Sequence, residues 1–152
     1  MADLFGKTTL PKQIPTELHP TLALIRKAKS DKAAVRVAYD VVTRRFHGRR
    51  ALTYLLGWRV LEKDVQQIWS RPGYLHCTTM NYLLRVLLIG SGRFSEKDIR
   101  ERWTLVLGIS PHQYVQVHAD STWISIDPWS KGYGISFGEH ASGFRGTVFR
   151  KP

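Results

Sequence analysis

Residues 77–89 constrain this chain more than any other stretch. They read CTTMNYLLRVLLI, apolar on nearly every side apart from Asn81 and Arg85. A helix that is apolar all round belongs in the middle of a fold, with other elements packed against it from several directions. Pro72-Gly73 just before it marks a turn, and Gly90-Ser91-Gly92 just after it offers a glycine for a left-handed cap. The spacing therefore predicts one central helix that begins at Cys77, the only cysteine in 152 residues.

A single cysteine excludes an intrachain disulfide framework and a multi-cysteine zinc site. No run reaches the ~18 uninterrupted apolar residues of a membrane span, and the opening residues Met1–Lys7 lack the charged head and apolar stretch of a signal peptide. The expectation is a single soluble, cytoplasmic domain that needs neither metal nor cofactor, since no pair of histidines has metal-ligand spacing. The charge is uneven. Of 23 basic and 12 acidic residues (net +11), 11 basic and 4 acidic fall within residues 1–50. A basic end of this kind solvates helix faces. It also suits an acidic or nucleic-acid partner.

Prolines 11, 15 and 20 with little apolar periodicity predict an extended arm over residues 1–20, and residues 21–152 form the domain proper. A short helix is expected over residues 21–30. The next is capped by Asp31, with Val35, Ala38, Tyr39, Val42 and Phe46 on its apolar face. Residues 61–70 read as helical. Ser95-Glu96-Lys97-Asp98 resembles a capping box. Residues 103–107, 112–118 and 122–126 are rich in β-branched and aromatic side chains and read as successive strands, with another at 146–150. Helices first and strands later indicate an α+β domain, its central helix packed on a small antiparallel sheet.

The position of Cys77 matters chemically. Unpaired N–H groups at a helix N-terminus stabilise negative charge, and the thiolate is the nucleophilic form of cysteine. Strand alternation puts His112, Tyr114, Gln116 and His118 on one face, and Trp123, Ser125 and Asp127 on one face of the next strand. If residues 119–122 make the hairpin loop, partners sum to 241 and His112 lies diagonal to Asp127; a loop of residues 118–121 places them directly opposite. In either register His118 is too distant, so His112 is the partner expected for Asp127. A carboxylate that orients an imidazole, which in turn takes a thiol proton, is the apparatus of nucleophilic catalysis. His76, adjacent to Cys77 but about 100° round the helix, is read as a spectator, and His118, Asp120 and His140 as solvated surface groups. The five tryptophans are read as core. One of them is a candidate oxyanion donor through its indole N–H, beside the backbone N–H of Cys77.

Together, Pro72-Gly73-Tyr74-Leu75-His76-Cys77, the apolar helix with Leu84-Arg85, His112-Gln113-Tyr114-Val115-Gln116-Val117 and Trp123-Ile124-Ser125-Ile126-Asp127-Pro128 resemble the transglutaminase-like superfamily over about residues 32–130. The chain departs from the family's usual residues at His76 and at Gln113-Tyr114, and in the 90–102 linker. The resemblance implies a papain-like core with Cys77 as nucleophile, His112 as general base and acid, and Asp127 as the orienting residue. It implies a cysteine-dependent peptidase or amidase acting on a protein or peptide substrate. The transglutaminase variant uses an amine in place of water. A basic polyanion-binding module with a vestigial triad is the contrasting reading.

Overall fold

The computed structural model describes residue 7 and residues 9–150. Its centre is helix α5 (Cys77–Gly90; helices and strands are numbered in chain order), in which every residue from Thr78 to Leu88 is buried. Two helices pack along it, α1 (His19–Arg26) through Leu22 and Ile25, and α2 (Asp31–Arg45) through Ala34, Val35, Ala38, Tyr39 and Val42. A three-stranded antiparallel sheet covers another side, in the order β3 (Ile99–Val106), β4 (Ser110–Ala119), β5 (Thr122–Ile126), with β4 against α5. The domain is α+β: mixed helix and strand, with a central helix surrounded because its own sequence leaves it no polar face.

The β4–β5 register follows the sum of 241, from Val115 opposite Ile126 to Ala119 opposite Thr122. The register that would set His112 directly across from Asp127 is not adopted. The two-residue turn is Asp120-Ser121, both at positive φ (49° and 66°), as a tight hairpin requires. Asp120 is not simply solvated. Its carboxylate accepts hydrogen bonds from the N–H groups of Lys32 (3.0 Å) and Asp31 (3.2 Å), closing the N-terminus of α2. Those bonds hold its carboxyl below the usual carboxylate range.

A second, smaller pairing sets the approach to α5. Strand β1 (Phe46–His47) runs parallel to β2 (Gly73–Tyr74), and Leu75 N–H donates to the His47 carbonyl. The chain thus enters Cys77 alongside the end of α2. Between the two strands lie α3 (Arg50–Leu55), a 3-10 turn at Gly57–Leu61, and α4 (Val65–Ser70), capped by Asp64.

Several expectations are corrected. The 1–20 arm is not extended throughout. A 3-10 turn at Thr16–Leu18 runs into α1, whose first turn accommodates Pro20 because the N–H it lacks would have no helical partner there. Residues 1–6 lie outside the described residues. Ser30, not Asp31, caps α2, its hydroxyl accepting from Ala33 N–H. The helix expected over 61–70 begins only at Val65. No strand forms over 146–150; that segment is held by hydrogen bonds from Arg50 to the carbonyls of Gly146 and Thr147. Among the tryptophans, Trp58 (67% exposed), Trp103 and Trp123 face solvent, while Trp129 is core. No helix among the described residues is long and apolar enough to cross a membrane.

Candidate functional site

Cys77 is the first residue of α5, half-buried. The residue before it, His76, takes the N-cap position in extended backbone without a side-chain cap. Its carbonyl accepts the N–H groups of Thr79 and Met80. Among the described residues, the N–H groups of Cys77 and Thr78 have no protein acceptor, so unpaired donors and the positive end of the helix dipole meet at the sulfur. His76 itself is anchored away from the thiol: its Nε2–H donates to the Leu56 carbonyl at 3.0 Å, and its ring lies edge-on to Tyr74. Burial pushes its pKa below the ordinary histidine value, which keeps it neutral. It is a fixed structural group.

His112 stands near the start of β4, buried, with Nε2 2.8 Å from Asp127 Oδ2. Asp127 follows the last residue of β5 and is 1% exposed. A carboxylate buried so completely needs donors, and it has three. Besides His112, Ala141 N–H donates to Oδ2 (2.9 Å) and Ser130 N–H to Oδ1 (3.2 Å). The Ser130 hydroxyl also lies 3.2 Å from His112 Nε2. With Nε2–H committed to Asp127, the other ring nitrogen is left for the Cys77 side chain, which is near enough to act on the charge of the imidazole. Burial by itself would lower the His112 pKa. The charge and hydrogen bond of Asp127, followed by the contacts with Cys77, outweigh it and raise the pKa to about 10. The structure therefore brings Cys77, His112 and Asp127 together, while His118 pairs with Trp123 on the far part of the hairpin.

Four further groups surround this arrangement in roles the sequence did not reveal. Asn81, one turn below Cys77, donates to the Gln113 carbonyl (2.9 Å) and to its Oε1 (3.2 Å), tying α5 to β4 beside His112. Trp129 packs its ring 5.3 Å from the His112 ring and donates its indole N–H to the Leu75 carbonyl (3.0 Å). That donor is committed to the backbone, whereas the Cys77 N–H has no acceptor among the described residues. His140 is not a solvated loop residue: its ring stacks on Tyr114 at 4.0 Å, and burial lowers its pKa.

The fourth is Lys7. Its ammonium is buried against the first turn of α5, donating to Thr79 Oγ1 (2.6 Å), Thr78 Oγ1 (3.4 Å) and the Val60 carbonyl (2.6 Å). The Lys7 carbonyl accepts from Arg85 (2.9 Å). Burial lowers the Lys7 pKa to about 8, opposed by the negative charge of Cys77 and then of Glu62. A cation is thus built in close to the sulfur. The sequence signal for it was slight: one lysine in a proline-spaced arm, some 70 residues from its partners.

Comparison with family models, with curated proteins and with solved structures finds no match for this chain. The functional reading rests on the geometry.

Proposed function

We propose that this protein is a cysteine-dependent amide hydrolase, a peptidase or amidase built on a papain-like, transglutaminase-like core. The observation that carries the reading is the grouping of Asp127, hydrogen-bonded to His112, with Cys77 beside the imidazole at the N-terminus of the central helix. Each group has an environment suited to its step. The carboxylate is desolvated and triply hydrogen-bonded, so it orients the ring. The ring is held by Asp127 at one nitrogen and faces the thiol with the other. The helix terminus supplies positive potential where the sulfur becomes anionic.

The chemistry follows in two halves. With its pKa raised to about 10, His112 already holds the proton as imidazolium, and the Cys77 thiolate attacks the substrate carbonyl carbon. The carbonyl oxygen gains the negative charge next to the free Cys77 N–H. As the tetrahedral species collapses, the C–N bond breaks and the imidazolium gives its proton to the leaving amine, leaving a thioester. Water then loses a proton to His112 and attacks the thioester carbon. The C–S bond breaks, and the acid and the thiol are regenerated. With a primary amine in place of water, the same thioester yields a new amide.

Alkylation kinetics test this directly. Cys77 in the intact chain should react with iodoacetamide at pH 6 at least about tenfold faster than free cysteine, because thiolate is the reacting form. His112→Ala should return it to the free rate. A wild-type rate equal to that of free cysteine, or one indifferent to His112→Ala, overturns the proposal.

A further inference from the structure

Beside Trp129 the surface opens into a groove of about 500 Å³ that His112 does not line. Phe46, Trp129 and Phe149 contribute apolar surface, and Arg49, Lys131 and Arg150 stand at its edge. Among the described residues, no aspartate or glutamate lines it. None of the three cations has a carboxylate partner among the described residues. Lys131 donates to Thr43 Oγ1 (3.0 Å), the Arg49 guanidinium lies 4.7 Å from the Phe149 ring centre, and the Arg150 side chain runs over Gly134. Five arginines elsewhere, Arg36, Arg59, Arg85, Arg93 and Arg145, each meet an acid, whereas others such as Arg44 and Arg102 stand on the surface with no acid partner among the described residues. Here three positive charges converge on one concavity.

The walls are fixed. Arg50 pins the Gly146 and Thr147 carbonyls, Arg150 N–H donates to the Gly132 carbonyl (2.8 Å), and the Phe149 ring meets Tyr133 edge-on. At Gly48 a β-carbon would collide with the Trp129 indole, so the backbone lies flat on that ring. A preformed concavity of this size suits a short segment or small molecule more than a folded partner.

We propose that this groove binds a short acidic peptide segment carrying an apolar side chain. The apolar floor takes the side chain, and the guanidinium and ammonium groups take the flanking carboxylates. A nucleic acid fits less well, because base stacking needs free ring faces. Gly48 lies against the Trp129 ring, Tyr133 stacks on it (5.3 Å), and Phe149 is faced by Arg49. Since Trp129 also contacts His112, an occupant lies one side chain away from the Cys77–His112–Asp127 site. If the proposed hydrolase reading holds, the groove grips an acidic stretch of the substrate away from the scissile amide. The binding itself does not depend on that reading.

The test is fluorescence anisotropy on the full chain with a fluorescein-labelled pentapeptide, a phenylalanine flanked on each side by two acidic residues. A control peptide has the corresponding amides. The acidic peptide is expected to bind at least about tenfold more tightly at low salt, and added salt should weaken it. The double variant Lys131→Glu/Arg150→Glu, with both changes on exposed side chains, should lose about tenfold or more in affinity while Cys77 alkylation stays unchanged. His112→Ala should abolish rapid alkylation but not peptide binding, which separates this inference from the enzymatic one. Equal affinity for the two peptides, or indifference to the double variant, overturns the proposal. So does an oligothymidylate that displaces the peptide more effectively than unlabelled acidic peptide does, which would assign the groove to nucleic acid.

Discussion

Two regions that share Trp129 treat charge in opposite ways. Towards α5, Asp127 is desolvated and meets three donors, and His112 is buried against it. Towards the groove, Arg49, Lys131 and Arg150 are exposed and have no acid beside them among the described residues. A buried charge must be paired or it cannot stay charged, and once paired it fixes geometry. An exposed charge needs no partner, because water serves it, and it stays available to a ligand. One indole joins a region whose charges are committed to each other to a region whose charges are free to act outward.

The largest expected effect comes from removing the buried partner. Asp127→Ala leaves His112 without its carboxylate and the N–H groups of Ser130 and Ala141 without an acceptor. It should cost about 3 kcal/mol in urea unfolding and abolish rapid Cys77 alkylation. Asp127→Asn, which keeps an acceptor, should lose less stability and most of the alkylation advantage. Equal stability for the alanine variant and the wild type would mean the buried side is not organised by this carboxylate.

A smaller effect is expected where both sides share a wall. Gly48→Ala drives a methyl group into the Trp129 ring and should destabilise by about 1–3 kcal/mol. Because the indole bears on both regions, this one change should reduce Cys77 alkylation and acidic-peptide affinity together. An effect on only one of them would show that the two sides are independent.

Above pH 6.5 the pH dependence belongs to the buried region. His112 has its pKa raised from 6.5 to about 10 in the folded state, so its contribution is fully present below pH 6.5 and is lost as pH rises through 10. Lys7, lowered from 10.5 to about 8, contributes in the opposite sense above pH 8. His47, His76 and His140 have lowered values and act below 6.5. Urea-unfolding stability should therefore fall between pH 6.5 and 8 and level off above 8, and the fall should vanish in His112→Gln. Stability flat over pH 6.5–8 in the wild type contradicts the Asp127–His112 pairing. The smallest effect is expected on the groove side: Lys131→Glu should change stability by less than about 0.5 kcal/mol, since its ammonium meets only Thr43 and the face of Tyr39.

Much of the frame was legible because it depends on periodicity. An all-round apolar run gave α5 and its first residue, Cys77. Alternation on two neighbouring strands, with a two-residue turn between them, selected His112 as the partner of Asp127. Ser95–Asp98 forms the reciprocal capping box expected of its residue types. These are short-range patterns that side-chain chemistry imposes on the local backbone.

What was missed depends on which groups meet across long sequence separations. Prolines 11, 15 and 20 suggested an extended arm, yet Pro20 opens a helix, and Lys7 in that arm reaches Thr79, 72 residues on. Backbone donors such as Ala141 N–H leave no signature in residue type. Trp103 and Trp123 look like core residues in a strand pattern, but the described residues put no covering layer over them, and both are partly exposed. The sequence by itself determined the central helix, the hairpin and the order in which a thiol, an imidazole and a carboxylate occur. Only the tertiary structure decided that Asp127 has three donors, that the Trp129 indole N–H is spent on Leu75, and that three cations share a groove with no acid among the described residues. Periodicity constrains which face of an element is buried; which buried groups touch is set when the elements pack.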